Sequence, residues 1–314
     1  MTEGSPRRIA LAGTITSDRI VYEDGPSFKG LGGILYQAAV LAGLGDEVHI
    51  VTNCGAGLRP EVDRLTAEWP ELRRDRMAIV PGPGNVVNLF YPRQGERLEV
   101  LESVVEPLPS ERLRSAAAHS EWLLVALNSG LDIERSDWRS VVDRLSCPVW
   151  LDIHSLALDP VLRAPRAYVP IPEWPAWARG VTFVQANRQE LACLLGHPER
   201  FPTRAEVDGF ARAAFDLGVK AVFLTLGREG VLVLTPHETR QVHAAGPEQV
   251  VDTTGCGDVL CAGAVHRLVR GAGIFGAAAF GVRLAARAAG LAGIQETYEM
   301  ARAARTEIAP EEVP

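Results

Sequence analysis

Residues 252–258, in the order Asp-Thr-Thr-Gly-Cys-Gly-Asp, bring two carboxylates, two hydroxyls and two glycines together just before an apolar run. β-Branched residues precede this stretch, and residues 259–269 are spaced like a helix, which predicts a strand, a tight turn and a helix. The first amides of a helix lack partners within the helix and lie at the positive end of its dipole. The amides of Gly255, Cys256 and Gly257 are therefore a candidate anion site, where the glycines let a phosphate approach the backbone.

Asp258 falls in the first turn of the predicted helix, beside this candidate anion site. We expect the dipole to keep a carboxylate there ionised, so that it can accept the proton of a hydroxyl attacking a bound phosphate. Phosphoryl transfer needs little from a protein beyond such positioning and charge stabilisation. A structural interpretation also accounts for the same residues: Thr253 or Thr254 caps the helix, and Asp258 complements its dipole.

The order Asp-Thr-x-Gly-x-Gly-Asp resembles the signature of the ribokinase-like (PfkB) carbohydrate kinases, whose usual form has Ala at the position of Cys256. The resemblance implies that Asp258 is the catalytic base and that the amides of residues 255–257 form the anion hole. It implies an α/β protein with a three-layer α/β/α fold, a mostly parallel central sheet and a small β lid. The implied activity is ATP-dependent phosphorylation of a hydroxyl group on a small sugar or polyol. ATP and Mg²⁺ are the implied cofactors, and K⁺ is a further candidate with Asp252 as its ligand.

Two earlier segments extend the resemblance to the phosphoryl acceptor. Asp18 follows the first predicted strand, where the family carries an Asp that binds substrate hydroxyls. Gly32 and Gly33 open an apolar helix, as they do in the family, where these glycines let the substrate lie against the backbone. Gln37 stands where Asn is usual and Ile34 where ribokinase has Lys. These two departures point to an acceptor other than ribose, such as a polyol.

Two later segments resemble the nucleotide side of the family's site. Asn187 and Glu190 follow a predicted strand and have the spacing of a capping box. The resemblance adds that Asn187 lies near the nucleotide phosphates and that Glu190 organises Mg²⁺ through water, as one carboxylate with phosphate oxygens can. Thr225, Gly227 and Gly230 have the order of an ordinary hairpin. They also resemble the family's Thr-x-Gly-x-x-Gly, which makes them candidate ATP contacts.

The remaining chain predicts the framework that holds these residues. Short apolar strands, such as Met77–Val80 and Ala221–Thr225, alternate with helices, which indicates a mostly parallel sheet covered on both faces. Two pairs of alternating segments, near residues 19–31 and 85–102, have no helix-length crossover after them. We interpret them as a β lid that closes over the acceptor and excludes water. No linker divides residues 1–314, so a single kinase domain is predicted, and its lid is a candidate homodimer contact.

The composition favours a cytoplasmic protein and argues against a nucleic-acid or membrane partner. A content of 47% apolar residues can build a substantial core, and the net charge of -7 argues against nucleic acid as a partner. The N-terminus has no apolar signal segment, and no uncharged apolar run reaches the roughly 18 residues of a membrane helix. Five scattered cysteines without a Cys-x-x-Cys pair indicate reduced thiols.

Other site types have little support in the sequence. The P-loop order Gly-x-x-x-x-Gly-Lys-Ser/Thr does not occur, and Leu260 replaces the third glycine of a dinucleotide fingerprint. The seven histidines show no paired metal spacing, and His154 is either a substrate contact or an ordinary loop residue. Two alternative functions stay open: a nucleoside kinase of the same fold and a non-catalytic regulator that binds a ligand. The intact Asp258 and Gly-x-Gly argue against the regulator.

Overall fold

The computed structural model describes residues 6–25, 27–93, 98–246 and 249–307. Their strands are β1 (Arg8–Ala12), β2 (Ile15–Tyr22), β3 (Ser27–Gly33), β4 (Glu47–Gly55), β5 (Leu72–Arg73), β6 (Met77–Val80), β7 (Asn85–Tyr91), β8 (Leu98–Ser103), β9 (Trp122–Ala126), β10 (Val149–Asp152), β11 (Phe183–Asn187), β12 (Ala221–Thr225), β13 (Val231–Leu234) and β14 (Thr239–Val242). Their α-helices are α1 (Leu35–Gly43), α2 (Arg59–Leu65), α3 (Ser110–Ala117), α4 (Arg135–Val142), α5 (Trp174–Ala178), α6 (Arg188–Leu194), α7 (Arg204–Asp216), α8 (Cys256–Leu268), α9 (Ile274–Ala288) and α10 (Gly293–Glu307). Within these ranges, no helix combines the length and the apolar character needed to cross a bilayer.

Ten strands form the central sheet in the order β14-β13-β12-β11-β10-β9-β1-β4-β5, and β6 also pairs with β4. Strands β12 to β5 of this order run parallel, and β13 and β14 add an antiparallel edge. In β1, Ile9 and Leu11 enter one hydrophobic core while Ala10 and Ala12 enter the other. Helices α1, α2, α8, α9 and α10 contribute to the first core and α3 to α7 to the second. The predicted α/β/α fold with a mostly parallel sheet is confirmed.

A second sheet has four strands in the order β3-β2-β7-β8, and we call it the lid. The β2–β3 and β7–β8 pairs are antiparallel hairpins in the regions predicted near 19–31 and 85–102, and β2 runs parallel to β7. The residues that join these hairpin strands include Pro26 and 94–97, which lie outside the described residues. Arg97, the first residue of one predicted lid strand, is among them.

The strand predicted immediately before Asp252 is wrong. The amides of Val251 and Asp252 donate to the carbonyl oxygen of Ala289, just after α9, at 2.8 and 3.2 Å. The side chains of Val250 and Val251 are 60% and 52% exposed, so their β-branched character does not mark a buried strand. The chain therefore enters α8 as an irregular segment that is held by the end of a helix rather than by a sheet.

A buried ionic cluster fixes the far end of α8. Asp46, in the turn between α1 and β4, is fully buried. Its Oδ2 lies 2.8 Å from Nδ1 of His266, and its Oδ1 lies 2.7 Å from Nη2 of Arg270. Burial lowers the pKa of His266, and the hydrogen bond with Asp46 opposes this shift. The cluster joins α8 to the beginning of β4.

We expect Asp46→Ala to destabilise the protein, because it leaves the buried imidazole of His266 and the partly exposed guanidinium of Arg270 without their shared acceptor. Leaving a buried polar group without its hydrogen-bond partner typically costs about 1–3 kcal/mol. Asp63→Ala is the matched control, since Asp63 pairs with Arg59 and Arg74 on the surface, where such pairs contribute about 0–1 kcal/mol. Urea unfolding followed by tryptophan fluorescence measures both free energies, and equal losses would contradict a structural role for the cluster.

Candidate active site

A cleft of about 280 Å³ lies where the parallel strands of the central sheet end beneath the lid. The carboxyl edge of a parallel sheet is the usual place for a ligand in this class of fold. The strands of the central sheet and the residues after them contribute Asn128, Asp152, His154, Ser155, Gln185, Asn187, Glu190 and Thr225. The lid contributes Thr16, Asp18, Gly33, Val87, Leu89, Tyr91 and Glu99. The segment that begins α8 contributes Thr253, Thr254, Gly255, Gly257 and Asp258, and Tyr36, Leu158 and Tyr168 complete the lining.

The structure brings eight of the fourteen predicted site residues together in this cleft. They are Asp18, Gly33, Asn187, Glu190, Thr225, Gly255, Gly257 and Asp258. The other six do not line it: Gly32, Gln37, Cys256, Gly227, Gly230 and Asp252. Asp18, which is predicted to bind the acceptor, and Asn187, which is predicted to lie near the nucleotide phosphates, therefore line the same cavity.

The six remaining residues lie in the elements around the cleft. Gly32 packs on Asp18, because a Cβ at Gly32 would stand 2.0 Å from its Oδ2. Gln37 is 1% exposed inside α1, and its Oε1 has no hydrogen-bond partner among the described residues. Oδ1 of Asp252 accepts a hydrogen bond from the amide of Thr254 at 2.9 Å. Gly227 and Gly230 form the turn between β12 and β13, and Cys256 begins α8.

The start of α8 depends on the conformation of Gly255. This residue is the N-cap and has a φ of 77°, in the left-handed region that favours glycine. A Cβ at Gly255 would lie 2.4 Å from the ring of Tyr36, so the turn and α1 are in close contact. No side chain caps α8, which means that neither Thr253 nor Thr254 has the capping role of the structural interpretation. Of the three amides in the predicted anion site, the amide of Cys256 donates to the carbonyl oxygen of Thr253 at 3.3 Å.

Asp258 lies in the first turn of α8 and is only 7% exposed. Its Oδ1 has no hydrogen-bond partner among the described residues. Burial raises the pKa of Asp258 well above the usual value, and the negative charges of Asp152 and Asp18 raise it further. We had expected the dipole to hold this carboxylate ionised, but burial dominates. A carboxylate with a high proton affinity and a free oxygen is suited to take a proton from a ligand hydroxyl.

Asp152 and Gln185 are neighbours of Asp258 that the sequence did not single out. Oδ2 of Asp152 accepts a hydrogen bond from Nε2 of Gln185 at 3.1 Å, and burial raises the pKa of Asp152 to about 7. The same nitrogen donates to the carbonyl oxygen of Gly257 at 3.2 Å. Asp152 ends β10 and Gln185 is the central residue of β11, and each follows a buried aromatic residue of the same strand by two positions. This alternation was the available signal in the sequence.

His154 also lines the cleft, just after β10. It has a φ of 41°, which is uncommon for a residue other than glycine. Its Nδ1 lies 2.9 Å from Oγ of Ser155, another lining residue. Strained backbone of this kind often occurs at functional sites, so the position agrees with the substrate-contact interpretation of His154.

Asn187 and Glu190 form the predicted capping box at the start of α6. Oε2 of Glu190 accepts from the amide of Asn187 at 2.7 Å, and Oε1 accepts from its Nδ2 at 2.6 Å. Oδ1 of Asn187 accepts in return from the amides of Gln189 and Glu190, both at 2.8 Å. The cap fixes both side chains while leaving them on the wall of the cleft.

The donor set at Glu190 fits Mg²⁺ that is bound mainly by a nucleotide. The described residues contain no cluster of three or more His, Cys, Asp or Glu side chains that could hold a metal by themselves. Mg²⁺ commonly keeps several waters and is held by one or two carboxylates together with phosphate oxygens. A single carboxylate on the cleft wall satisfies that requirement.

Comparisons with known proteins show similarity to carbohydrate kinases. Residues 149–300 match the model of the pfkB family carbohydrate kinases. A segment of 56 residues is 45% identical to the ATP-dependent 6-phosphofructokinase of Thermoanaerobacterium thermosaccharolyticum, covering 18% of this chain and 17% of that protein.

Two solved structures show the same fold over nearly the whole chain. Ribokinase from Thermotoga maritima is 19% identical, with a TM-score of 0.73 and coverage of 95% of this chain and 99% of that one. A nucleoside kinase from Burkholderia thailandensis, solved in complex with inosine, is 16% identical, with a TM-score of 0.72 and coverage of 95% and 97%. These structures show that the chain has the fold of ribokinase, and the match of residues 149–300 to the PfkB model supports the resemblance seen in the sequence.

We expect Gly255→Ala to destabilise the fold by at least about 2 kcal/mol. A left-handed conformation costs a non-glycine residue about 1–2 kcal/mol, and the added methyl overlaps the ring of Tyr36, where overpacking costs about 1–3 kcal/mol. Gly257→Ala is the matched control: its φ is not in that region, and its nearest neighbour, Nε2 of Gln185, would be 3.5 Å away. Urea unfolding of both variants tests this, and equal stabilities would refute the proposed constraint.

Proposed function

We propose that this chain, whose residues 149–300 match the PfkB family and whose fold is that of ribokinase, is an ATP-dependent kinase. It would phosphorylate a hydroxyl group of a small sugar or polyol. The observation that carries this proposal is the buried carboxylate of Asp258, with an unpartnered oxygen, in the same cleft as Asn187, Glu190 and Thr225. A base and a candidate nucleotide wall therefore face the same cavity.

In the proposed reaction, Asp258 takes the proton of the acceptor hydroxyl while the acceptor oxygen forms a bond to the γ-phosphorus of ATP. The bond between that phosphorus and the bridging oxygen breaks, and ADP leaves with the electron pair. The amides of Gly255 and Gly257 would stabilise the charge on the transferring group, since donors fixed in a water-poor site act strongly on developing charge. Asp18 and Gly33 line the cleft where the other acceptor hydroxyls would bind.

The nucleotide side is proposed to use the wall built by α6 and the end of β12. Asn187 and Thr225 line the cleft there and would contact the phosphates. Glu190 would hold Mg²⁺ through water, together with phosphate oxygens, and the bound ion would neutralise part of the phosphate charge. The capping box helps to keep the carboxylate of Glu190 in place on the wall of the cleft.

The charges of the cleft favour an acceptor without a phosphate group. None of the described lining residues is Lys or Arg, whereas Asp18, Glu99, Asp152, Glu190 and Asp258 are acidic. The nearby Arg166 is buried and forms an ion pair with Glu99 at 3.0 Å, so its charge is already compensated. Asp18 can accept hydrogen bonds from acceptor hydroxyls, and no Lys or Arg among the described lining residues is available to bind a phosphate on the acceptor, which supports a neutral sugar or polyol.

A nucleoside is the second candidate acceptor. The lid contributes Val87, Leu89 and Tyr91 to the cleft, and Leu158 and Tyr168 also line it. Apolar and aromatic walls of this type can cover a planar base. This observation favours the nucleoside kinase alternative over ribose-like acceptors that carry only hydroxyls.

Turnover should require the carboxylate of Asp258. Purified protein would be assayed for ADP formation from ATP and Mg²⁺ with a panel of sugars, polyols and nucleosides. With the best acceptor, Asp258→Asn is expected to fold normally and to lower kcat at least about a hundredfold, because the amide cannot accept the proton.

Asp137→Asn, on α4 and outside the cleft, is the matched control and should keep the wild-type kcat. Unchanged turnover in Asp258→Asn would refute the proposed role of Asp258. Absence of ADP formation with every acceptor, together with measurable ligand binding, would instead favour the non-catalytic regulator.

The Mg²⁺ requirement should depend on Glu190. Gln at this position can still complete the capping box but has no negative charge. We expect Glu190→Gln to raise the Mg²⁺ concentration for half-maximal rate by about tenfold or more, the usual effect of altering a group that binds a metal through its outer shell. Glu229→Gln, which removes a surface partner of Arg188, is the control. Identical Mg²⁺ titrations of both variants would contradict the assignment.

A further inference from the structure

A chain of hydrogen bonds connects the central sheet to the first turn of α8. Asp152 is the last residue of β10, and strand register places it opposite Gln185 of β11. Nε2 of Gln185 donates to Oδ2 of Asp152 at 3.1 Å and to the carbonyl oxygen of Gly257 at 3.2 Å. Asp152 and Gln185 are 4% and 3% exposed. The residue before Asp258 is therefore tied to two strands through buried polar groups.

The support under this chain is rigid. Side chains alternate between the faces of a strand, so Asp152 and Gln185 lie on the same face of the sheet as Trp150 and Phe183. Trp150 and Phe183 pack in the core beside α8, with ring centroids 5.5 Å apart. Close-packed aromatic rings leave little room for movement. The strand residues next to Gln185 therefore have a close-packed support, and the two hydrogen bonds of Nε2 join its side chain to Asp152 and Gly257.

Asp152 also brings a second buried carboxylate into the cleft that Asp258 lines, one hydrogen-bonded side chain away from the residue before Asp258. Both side chains are buried and line the same cleft. The charge of Asp152 is the largest contribution of any neighbouring group to the raised pKa of Asp258, after burial itself. Two nearby carboxylates disfavour simultaneous ionisation, which strengthens the proton affinity of each.

Among the neighbouring charges, none raises the pKa of Asp258 as much as that of Asp152 does. From the lid, Asp18 contributes a smaller repulsion. Tyr36 of α1 and Cys261 of α8 are neutral near pH 7, because burial raises the pKa of both groups, and the pKa of Cys256 is raised to about 11 for the same reason. His154 and Glu190 line the same cleft from the ends of β10 and β11.

We propose that Asp152 is a positioning residue: it holds the first turn of α8 through Gln185, and its negative charge makes Asp258 a stronger base. This inference rests on the proposed kinase function for its chemical purpose. The interaction between the two carboxylates can be measured without any turnover. Asp152 itself would not exchange a proton with the substrate in this role.

Two variants separate the charge of Asp152 from its hydrogen bond. Asp152→Asn removes the charge but keeps an oxygen that can accept from Gln185. Gln185→Met keeps the charge of Asp152 and removes the donor to Gly257. Asp137→Asn, which deletes a carboxylate on α4, controls for the general loss of one negative charge. Circular dichroism and thermal unfolding establish that each variant is folded.

The decisive measurement is a titration of protein labelled with ¹³C at the Asp carboxyl carbons, in which Asp258→Asn identifies the resonance of Asp258. A negative neighbour raises a carboxyl pKa, so removal of that neighbour lowers it, and Asp258 should lose its proton at a lower pH. In Asp152→Asn we expect the midpoint to fall by about one pH unit, a tenfold decrease in proton affinity. An unchanged midpoint in Asp152→Asn would overturn the proposal.

Kinetics and hydrogen exchange complete the test. The acid limb of the kcat/KM profile should move to lower pH in Asp152→Asn and stay in place in Asp137→Asn, a change that a merely structural residue would not produce.

Gln185→Met should increase amide exchange at the start of α8 about tenfold, while Asp152→Asn leaves it nearly unchanged. Equal exchange in both variants would refute the proposed role of Gln185 in holding the first turn of α8. A wild-type protein without kinase activity would disprove the proposed function, whereas the ¹³C titration would still decide the coupling.

Discussion

Burial of the Asp258 carboxylate is the constraint on which the rest of the site depends. A buried carboxylate is unfavourable unless it is paired, yet Oδ1 of Asp258 has no hydrogen-bond partner among the described residues. Parallel strands bring Asp152 and Gln185 to the same edge, and the left-handed Gly255 turns the chain into α8 above them. Extensive hydrophobic cores on both faces of the sheet stabilise this arrangement. An unpaired group that persists at such a position is expected where a ligand completes it.

Local patterns in the sequence were sufficient to predict the framework. Met77–Val80 and Ala221–Thr225 form strands with the predicted bounds, because an apolar run between turn signals is a property of adjacent residues. The helix after Asp258 and the capping box at Asn187 are equally local. The fold class followed from the alternation of these elements, so it was accessible without knowledge of any long-range contact.

Contacts between distant segments were not accessible in the same way. The hydrogen bonds from Gln185 join residues 33 and 72 positions apart, and no local pattern specifies such a pair. Val250 and Val251 have strand-forming side chains, but the amide of Val251 donates to the carbonyl oxygen of Ala289 after α9 and not to a neighbouring strand. The apolar positions of α10 are few, and α1, onto which this helix packs, is distant in the sequence, so no local pattern specifies their contact.

At the start of α8, the helix dipole and burial shift the pKa of a side chain in opposite directions, so the larger of the two effects decides the outcome. A helix N-terminus stabilises a negative charge by about 0.3–1 kcal/mol, and by itself it would lower the pKa of Asp258 and of the Cys256 thiol. Burial of a charged group acts in the opposite direction and can shift a pKa by about 3–5 units. The pKa of Cys256 is raised to about 11, and its Sγ lies 3.5 Å from the carbonyl oxygen of Ala285. The thiol is therefore a poor nucleophile that fills a space between α8 and α9. The same burial that raises the pKa of this thiol also raises the proton affinity of the carboxylate of Asp258.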